Sequence, residues 1–223
     1  MILIIRGHIR NTFDTKDFYN LIKNIYHNYP DLKIFIHTWN IISNGISWRD
    51  ISTNIYIVTE EYIYDYFNDL NHLIKHIIID DDTKINLIGN LEGKISNCNM
   101  PIIGWKNYWY GKYKIIEYIN NLNIDIKETI INSRFDILNN SNSLKHEIII
   151  NFINNNDTEF NKNIFIYNCE KYGLDNLYLG NINTMYKLIY HLHYKLDNIL
   201  LNKINETEHQ EYIVYRLNNI LFN

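Results

Sequence analysis

The feature that most narrows the possible folds lies at the amino terminus, where Ile2-Leu3-Ile4-Ile5 is continuously apolar and stops at Arg6. An apolar run without polar alternation suits a strand buried on both faces, as in a parallel sheet between two helix layers. Residues 17–29 follow with Phe18, Leu21, Ile22 and Ile25 at helical spacing, and Pro30 closes the segment. The alternation then recurs. Residues 32–36, 76–79 and 129–133 read as buried strands, whereas Trp105, Trp109, Tyr113, Ile116 and Ile119 describe a helix over 105–122. Shorter segments fill the intervals: a strand at 54–58, a helix at 60–70, an element at 148–153 and a strand at 163–167. Helices are expected at 184–201 and 208–221. Alternating strands and helices predict an α/β fold with a mostly parallel sheet flanked by helices.

The 223 residues, 46% of them hydrophobic, supply one sizeable core, so a single domain over 1–223 is expected. No internal repeat or linker interrupts it, and the Asn-rich stretch 154–156 reads as a surface loop. A net charge of −4 offers no broad cationic surface, which argues against nucleic acid as a partner. No apolar stretch approaches the length of a membrane span, and the first apolar run lacks the basic start of a signal peptide. Cys98 and Cys169 have no metal-ligand spacing and read as free thiols in a reducing, cytoplasmic compartment. Ile, Asn, Tyr and Lys are abundant and Ala is absent, a skew that follows AT-rich codons and speaks of the genome more than of mechanism.

Each strand ends in polar residues, and in α/β sheets the carboxyl edge is where ligands bind. After the first strand come Arg6, Gly7, His8 and Arg10. The glycine lets backbone approach a ligand, and the arginines suit phosphate. After the second come Thr38 and Trp39, a hydroxyl and an aromatic face fit to border a base or ribose; as a structural residue Trp39 would simply pack at the rim. Residues 41–50, polar and with Gly45, form a loop at the same edge, and 139–143 form a polar turn. Asp80-Asp81-Asp82 reads as a turn or capping cluster, and also as the acidic centre of a metal-dependent phosphodiesterase or nuclease. Arg134-Phe135-Asp136 ends the strand at 129–133. Trp105 and Trp109, spaced i and i+4, read as core residues ahead of ligand platforms.

The order Arg-Gly-His after the first strand, His-Thr-Trp after the second and Arg-Phe-Asp after a later one resembles small glycosyltransferases of the GT-A (Rossmann-like) fold. Those of bacterial lipopolysaccharide or capsular-polysaccharide synthesis, and their relatives in large DNA viruses, are the most similar. The resemblance runs over about residues 1–185 and rests on order more than on any one motif. It implies transfer of a sugar from a nucleoside-diphosphate sugar to a glycan or other hydroxyl acceptor. Asp136 would hold Mn²⁺ or Mg²⁺; Arg6, Arg10, Lys112 and Arg134 would contact the diphosphate. Gly7, His8, Thr38 and Trp39 would border the nucleotide, and Asp175 would be the base that takes the acceptor proton. Glu208 and Glu211 lie on the last helix and compete for a place at that site. The sequence departs from the family's Asp-any-Asp motif, since Arg134 occupies the first acidic position. That departure keeps open a noncatalytic carbohydrate-binding or assembly protein on the same scaffold.

Overall fold

A computed structural model describes residues 1–42, 56–95, 100–139, 144–156, 160–166, 174–201 and 210–223. Most of the expected loop at 41–50, the turn at 140–143, Cys98, Cys169 and Glu208 lie outside the described residues.

The chain begins with β1 (Ile2–Arg6), α1 (Asp17–Asn28) and β2 (Lys33–Trp39). A small antiparallel pair follows, β3 (Ile41–Ile42) with β4 (Tyr56–Ile57), and then α2 (Glu60–Phe67) and β5 (Ile74–Asp80). Next come α3 (Ile102–Asn120), β6 (Thr129–Arg134), α4 (His146–Asn155) and β7 (Ile164–Ile166). The remaining described elements are β8 (Leu174–Asn181), α5 (Ile182–Tyr194), α6 (Leu196–Leu201) and α7 (Gln210–Phe222).

Six strands form the main sheet in the order β5-β2-β1-β6-β8-β7. The first four are mutually parallel; β8 runs antiparallel to both β6 and β7. This is the α/β, mostly parallel, helix-flanked architecture expected from the alternation of apolar runs and amphipathic periods. Because successive side chains of a strand point to opposite faces, β1 serves two cores. Leu3 and Ile5, with Ile34, Ile36 and Ile131, pack against α1, α2 and α4 through residues such as Phe18, Ile22, Ile63, Phe67 and Ile149. Ile2 and Ile4, with Phe35 and Ile130, pack against α3, α5 and α7 through Trp105, Trp109, Met185, Leu188 and Val214. Trp105 and Trp109 are completely buried, so their core reading holds.

Two features differ from expectation. Leu174 to Asn181, where the expected base Asp175 lies and no strand was expected, is the longest strand of the sheet, and Asn181 caps the following helix. Its polar side chains hide a strand whose burial is decided by neighbours on both sides. The expected helix at 184–201 is also two helices, α5 and α6, broken at Lys195 (φ −118°, ψ 15°). The break buries Leu196 and brings Asp197 to Lys106 at 2.7 Å, tying α6 to α3.

Candidate functional site

Arg6 and Arg134 end adjacent parallel strands and are register partners across the β1–β6 ladder. From β1 the chain moves outward to β2 and β5 and then returns to β6 on the other side of β1. The carboxyl ends of β1 and β6 therefore flank a topological switch point, where successive connections leave a crevice. Gly7 turns the chain out of β1 with φ +94°, and a Cβ there would meet nothing within 4 Å, so conformation and not space calls for glycine. Two bonds pin the turn to β2: the Gly7 amide donates to the His37 carbonyl (3.1 Å), and the Thr38 hydroxyl donates to the Gly7 carbonyl (2.9 Å). Arg10, also in the left-handed region at φ 54°, carries its guanidinium back toward β6.

A cavity of about 360 Å³ opens at this edge. Its walls come from Arg6, Gly7, His8 and Arg10 after β1, Arg134 at the end of β6, and His37 and Trp39 of β2. Asp82 and Thr83 beyond β5, Met100 and Pro101 ahead of α3, and Ile103, Gly104, Asn107, Tyr108 and Gly111 of α3 complete it. Gly111 allows α3 to lie close, since a Cβ there would come within 2.6 Å of the His37 ring. Trp39 stacks on Tyr110 (centroids 6.2 Å apart, planes at 22°), which gives the cavity an aromatic wall.

The electrostatics are dominated by guanidiniums. Arg134 grips Asp136 with two parallel bonds, Nε to Oδ1 at 2.7 Å and NH2 to Oδ2 at 2.6 Å, and Arg10 NH1 reaches the same Oδ2 at 2.9 Å. Burial alone would raise the Asp136 carboxyl, but Arg134 and Arg10 outweigh it and hold the group below the usual carboxylate range. Arg6 is 2% exposed. Its Nε donates to Asn132 Oδ1 (3.0 Å) and its NH2 to the Tyr108 hydroxyl (2.5 Å) and the Asp175 carbonyl (2.9 Å). Its NH1 is buried with no partner among the described residues. His8 is pushed down to about 4, first by burial and then by Arg10, so it is neutral at physiological pH.

The expected site residues divide clearly. Arg6, Gly7, His8, Arg10, Trp39 and Arg134 line the cavity. Thr38 is fully buried and spends its hydroxyl on Gly7, bracing the wall from behind. Lys112 is also fully buried, with Nζ 3.8 Å from the Trp109 ring centroid and 3.4 Å from the Asp175 carbonyl. Burial pushes its ammonium well below the ordinary lysine value. Asp175 is 1% exposed in β8 and lies outside the cavity lining; its carbonyl accepts from Arg6, Tyr108 and Lys112. Asp136 lies immediately behind Arg10 and Arg134, bound to both.

A divalent cation of the Mg²⁺ or Mn²⁺ type takes about six oxygen ligands, one or two of them from carboxylates with a free oxygen and the rest from phosphates and water. Both oxygens of Asp136 already accept guanidinium donors, and the two arginines outnumber the one carboxylate. Among the described residues no three His, Cys, Asp or Glu side chains converge on one point. The donor set around Asp136 does not fit such a cation.

The acidic triplet disperses. Asp80 pairs with His37 (3.1 Å), Asp81 closes its own turn onto Thr83 and Lys84, and only Asp82 lines the cavity. Burial first, and then Asp81, raises the Asp82 carboxyl above its ordinary value. Three carboxylates in three different tasks do not assemble the shared metal centre of a phosphodiesterase. Asn107 and Tyr108 line the cavity from the aromatic-rich run 104–113, whose density reads from sequence both as ligand contact and as core.

No protein-family model matches the chain, and no curated protein matches it. Among solved structures, an active-site mutant of LgtC matches over 100% of this chain and 70% of its own, with a TM-score of 0.43 and 10% identity. The galactosyltransferase LgtC in complex with donor and acceptor sugar analogues matches over the same shares, with a TM-score of 0.41 and 11% identity. No helix among the described residues is long and apolar enough to cross a membrane.

Proposed function

We propose that the protein is a glycosyltransferase on a GT-A-like scaffold that takes its sugar from a nucleoside-diphosphate donor and passes it to a hydroxyl acceptor. The observation that carries the reading is the pairing of Arg6 with Arg134 across the switch point, at the mouth of a cavity walled on another side by Trp39. A diphosphate needs concentrated positive charge, and a base or sugar needs an apolar face; this cavity offers both. Its size falls within the range usual for small-molecule sites.

In this reading the guanidiniums of Arg10 and Arg134 bind the diphosphate and stabilise the charge that builds on it as the glycosidic bond breaks. Gly7 keeps the wall of the cavity free of a side chain. Asp82, the carboxylate exposed to the cavity, receives the acceptor hydroxyl proton; its raised affinity for protons suits that task better than an ordinary aspartate would. Asp175 acts indirectly, holding Arg6 and Tyr108 through its carbonyl.

A screen of nucleoside-diphosphate sugars, read by release of the nucleoside diphosphate and by mass analysis of the product, tests the assignment. Transfer from at least one donor is expected, with a loss of about 100-fold or more in kcat for Asp82→Asn. Binding of free sugars with no response to any nucleotide would instead favour a carbohydrate-binding protein.

A further inference from the structure

The departure at Arg134 has a chemical consequence. Where the resemblance calls for a second acidic residue, the chain puts a guanidinium, and that guanidinium occupies the carboxylate on which a cation would sit. We propose that the cavity is a cation-independent anion site, in which Arg10 and Arg134 bind a diphosphate directly while Asp136 serves as their internal counterion. This rests on the glycosyltransferase reading only for the identity of the natural ligand; the anion site stands on its own geometry.

Three observations converge on it. First, charge: Arg6, Arg10 and Arg134 all line the cavity, whereas Asp136, within 2.9 Å of the latter two guanidiniums, is not part of its lining. Second, an unsatisfied donor: Arg6 lines the same cavity, is 2% exposed, and has no described partner for NH1. A buried guanidinium nitrogen without an acceptor is costly and is normally met by a ligand or water. Third, a helix end: α3 begins at Ile102 after Pro101, with no side-chain cap, and Ile103 and Gly104 of its first turn belong to the cavity wall. The Ile102 amide donates to the Gly93 carbonyl (3.1 Å), the next first-turn amides have no intrahelical acceptor, and the positive end of the helix dipole adds to the arginines. The carboxylate that does line the cavity, Asp82, follows the edge strand β5, with β2 and β1 between that strand and β6. It therefore interrupts a different part of the wall.

The Asp136 pairing also makes a directional claim. Before an anion arrives, Asp136 orients the two guanidiniums and competes for their donors. Removing its charge should then strengthen anion binding, whereas removing a metal ligand should abolish it.

The test is calorimetric titration of inorganic pyrophosphate into the wild-type chain, once in EDTA and once with Mn²⁺, repeated with Asp136→Asn and Arg134→Gln. Saturable binding in EDTA is expected, and added Mn²⁺, which itself chelates pyrophosphate, should not strengthen it. Asp136→Asn should bind pyrophosphate several-fold tighter in EDTA, and Arg134→Gln at least about tenfold weaker. Binding that appears only with Mn²⁺, or no saturable binding in either buffer, overturns the proposal. Should Asp136→Asn not fold, the two wild-type arms decide alone. The outcomes separate from those of the donor screen: pyrophosphate binding in EDTA without sugar transfer leaves the anion site and removes the transferase. Transfer that requires Mn²⁺ does the reverse.

Discussion

At the residue scale, the site is a set of charges placed by strand ends. Arg6 and Arg134 are brought together by the β1–β6 register, and their tasks differ with their burial. Arg6 is held by Asn132, Tyr108 and Asp175, whereas Arg134 is held through Asp136 and extends NH1 to Asn176 Oδ1 at 3.3 Å. His8 makes a prediction about pH. Its folded-state value is lowered from 6.5 to about 4, so the unfolded chain binds the extra proton first as pH falls. Stability should decline as pH drops through about 6.5 and level off near 4. His37 and His193, lowered in the same direction by burial, add to the slope. Thermal melts between pH 7.5 and 5 should show it, and His8→Gln should make it shallower; an unchanged slope would mean that His8 is not buried neutral. Of the residues singled out in the sequence, those lining the cavity were legible because they directly follow apolar runs. Lys112 and Asp175 were not, because their burial is set by contacts between α3 and β8 that no local pattern records.

At the scale of elements, β1, β2, β5 and β6 announce themselves through Ile-rich runs, since a strand covered on both faces has little room for polar residues. β8 is buried just as deeply but carries Asp175, Asn176 and Asn181. Tertiary partners make those residues admissible: Arg134 donates to Asn176, and Asn181 caps α5. The cap is reciprocal, with the Thr184 amide donating to Asn181 Oδ1 (2.9 Å) and the Asn181 amide to the Thr184 hydroxyl (3.0 Å). Asn181 Nδ2 also donates to the Phe160 carbonyl at 2.9 Å. Asn181→Ala should therefore cost about 1–2 kcal/mol in chemical denaturation, at the upper end for a capping residue because a buried carbonyl is orphaned as well. A cost near zero would contradict this account of how β8 hands the chain to α5. Gly111→Ala tests the α3 contact with β2. With 2.6 Å between the added methyl and the His37 ring, α3 must move or His37 must turn. A destabilisation of about 1–3 kcal/mol is expected from denaturant midpoints.

For the whole molecule, two helix layers clamp a sheet whose strand order changes direction at β1 and β6, and the basic residues gather at that crevice. A chain with a net charge of −4 thus gathers several basic side chains in one place, an arrangement that suits a small anion. The central claim is that this crevice recognises a nucleoside diphosphate through its phosphates. Competition binding measures it most directly: the diphosphates of uridine, guanosine, cytidine and adenosine, each titrated against bound pyrophosphate in the wild type and in Arg134→Gln. The account predicts that at least one displaces pyrophosphate stoichiometrically, that the matching nucleoside alone does not, and that Arg134→Gln weakens the diphosphate by at least about tenfold. Displacement by none of the four, or affinity indifferent to Arg134, would contradict it.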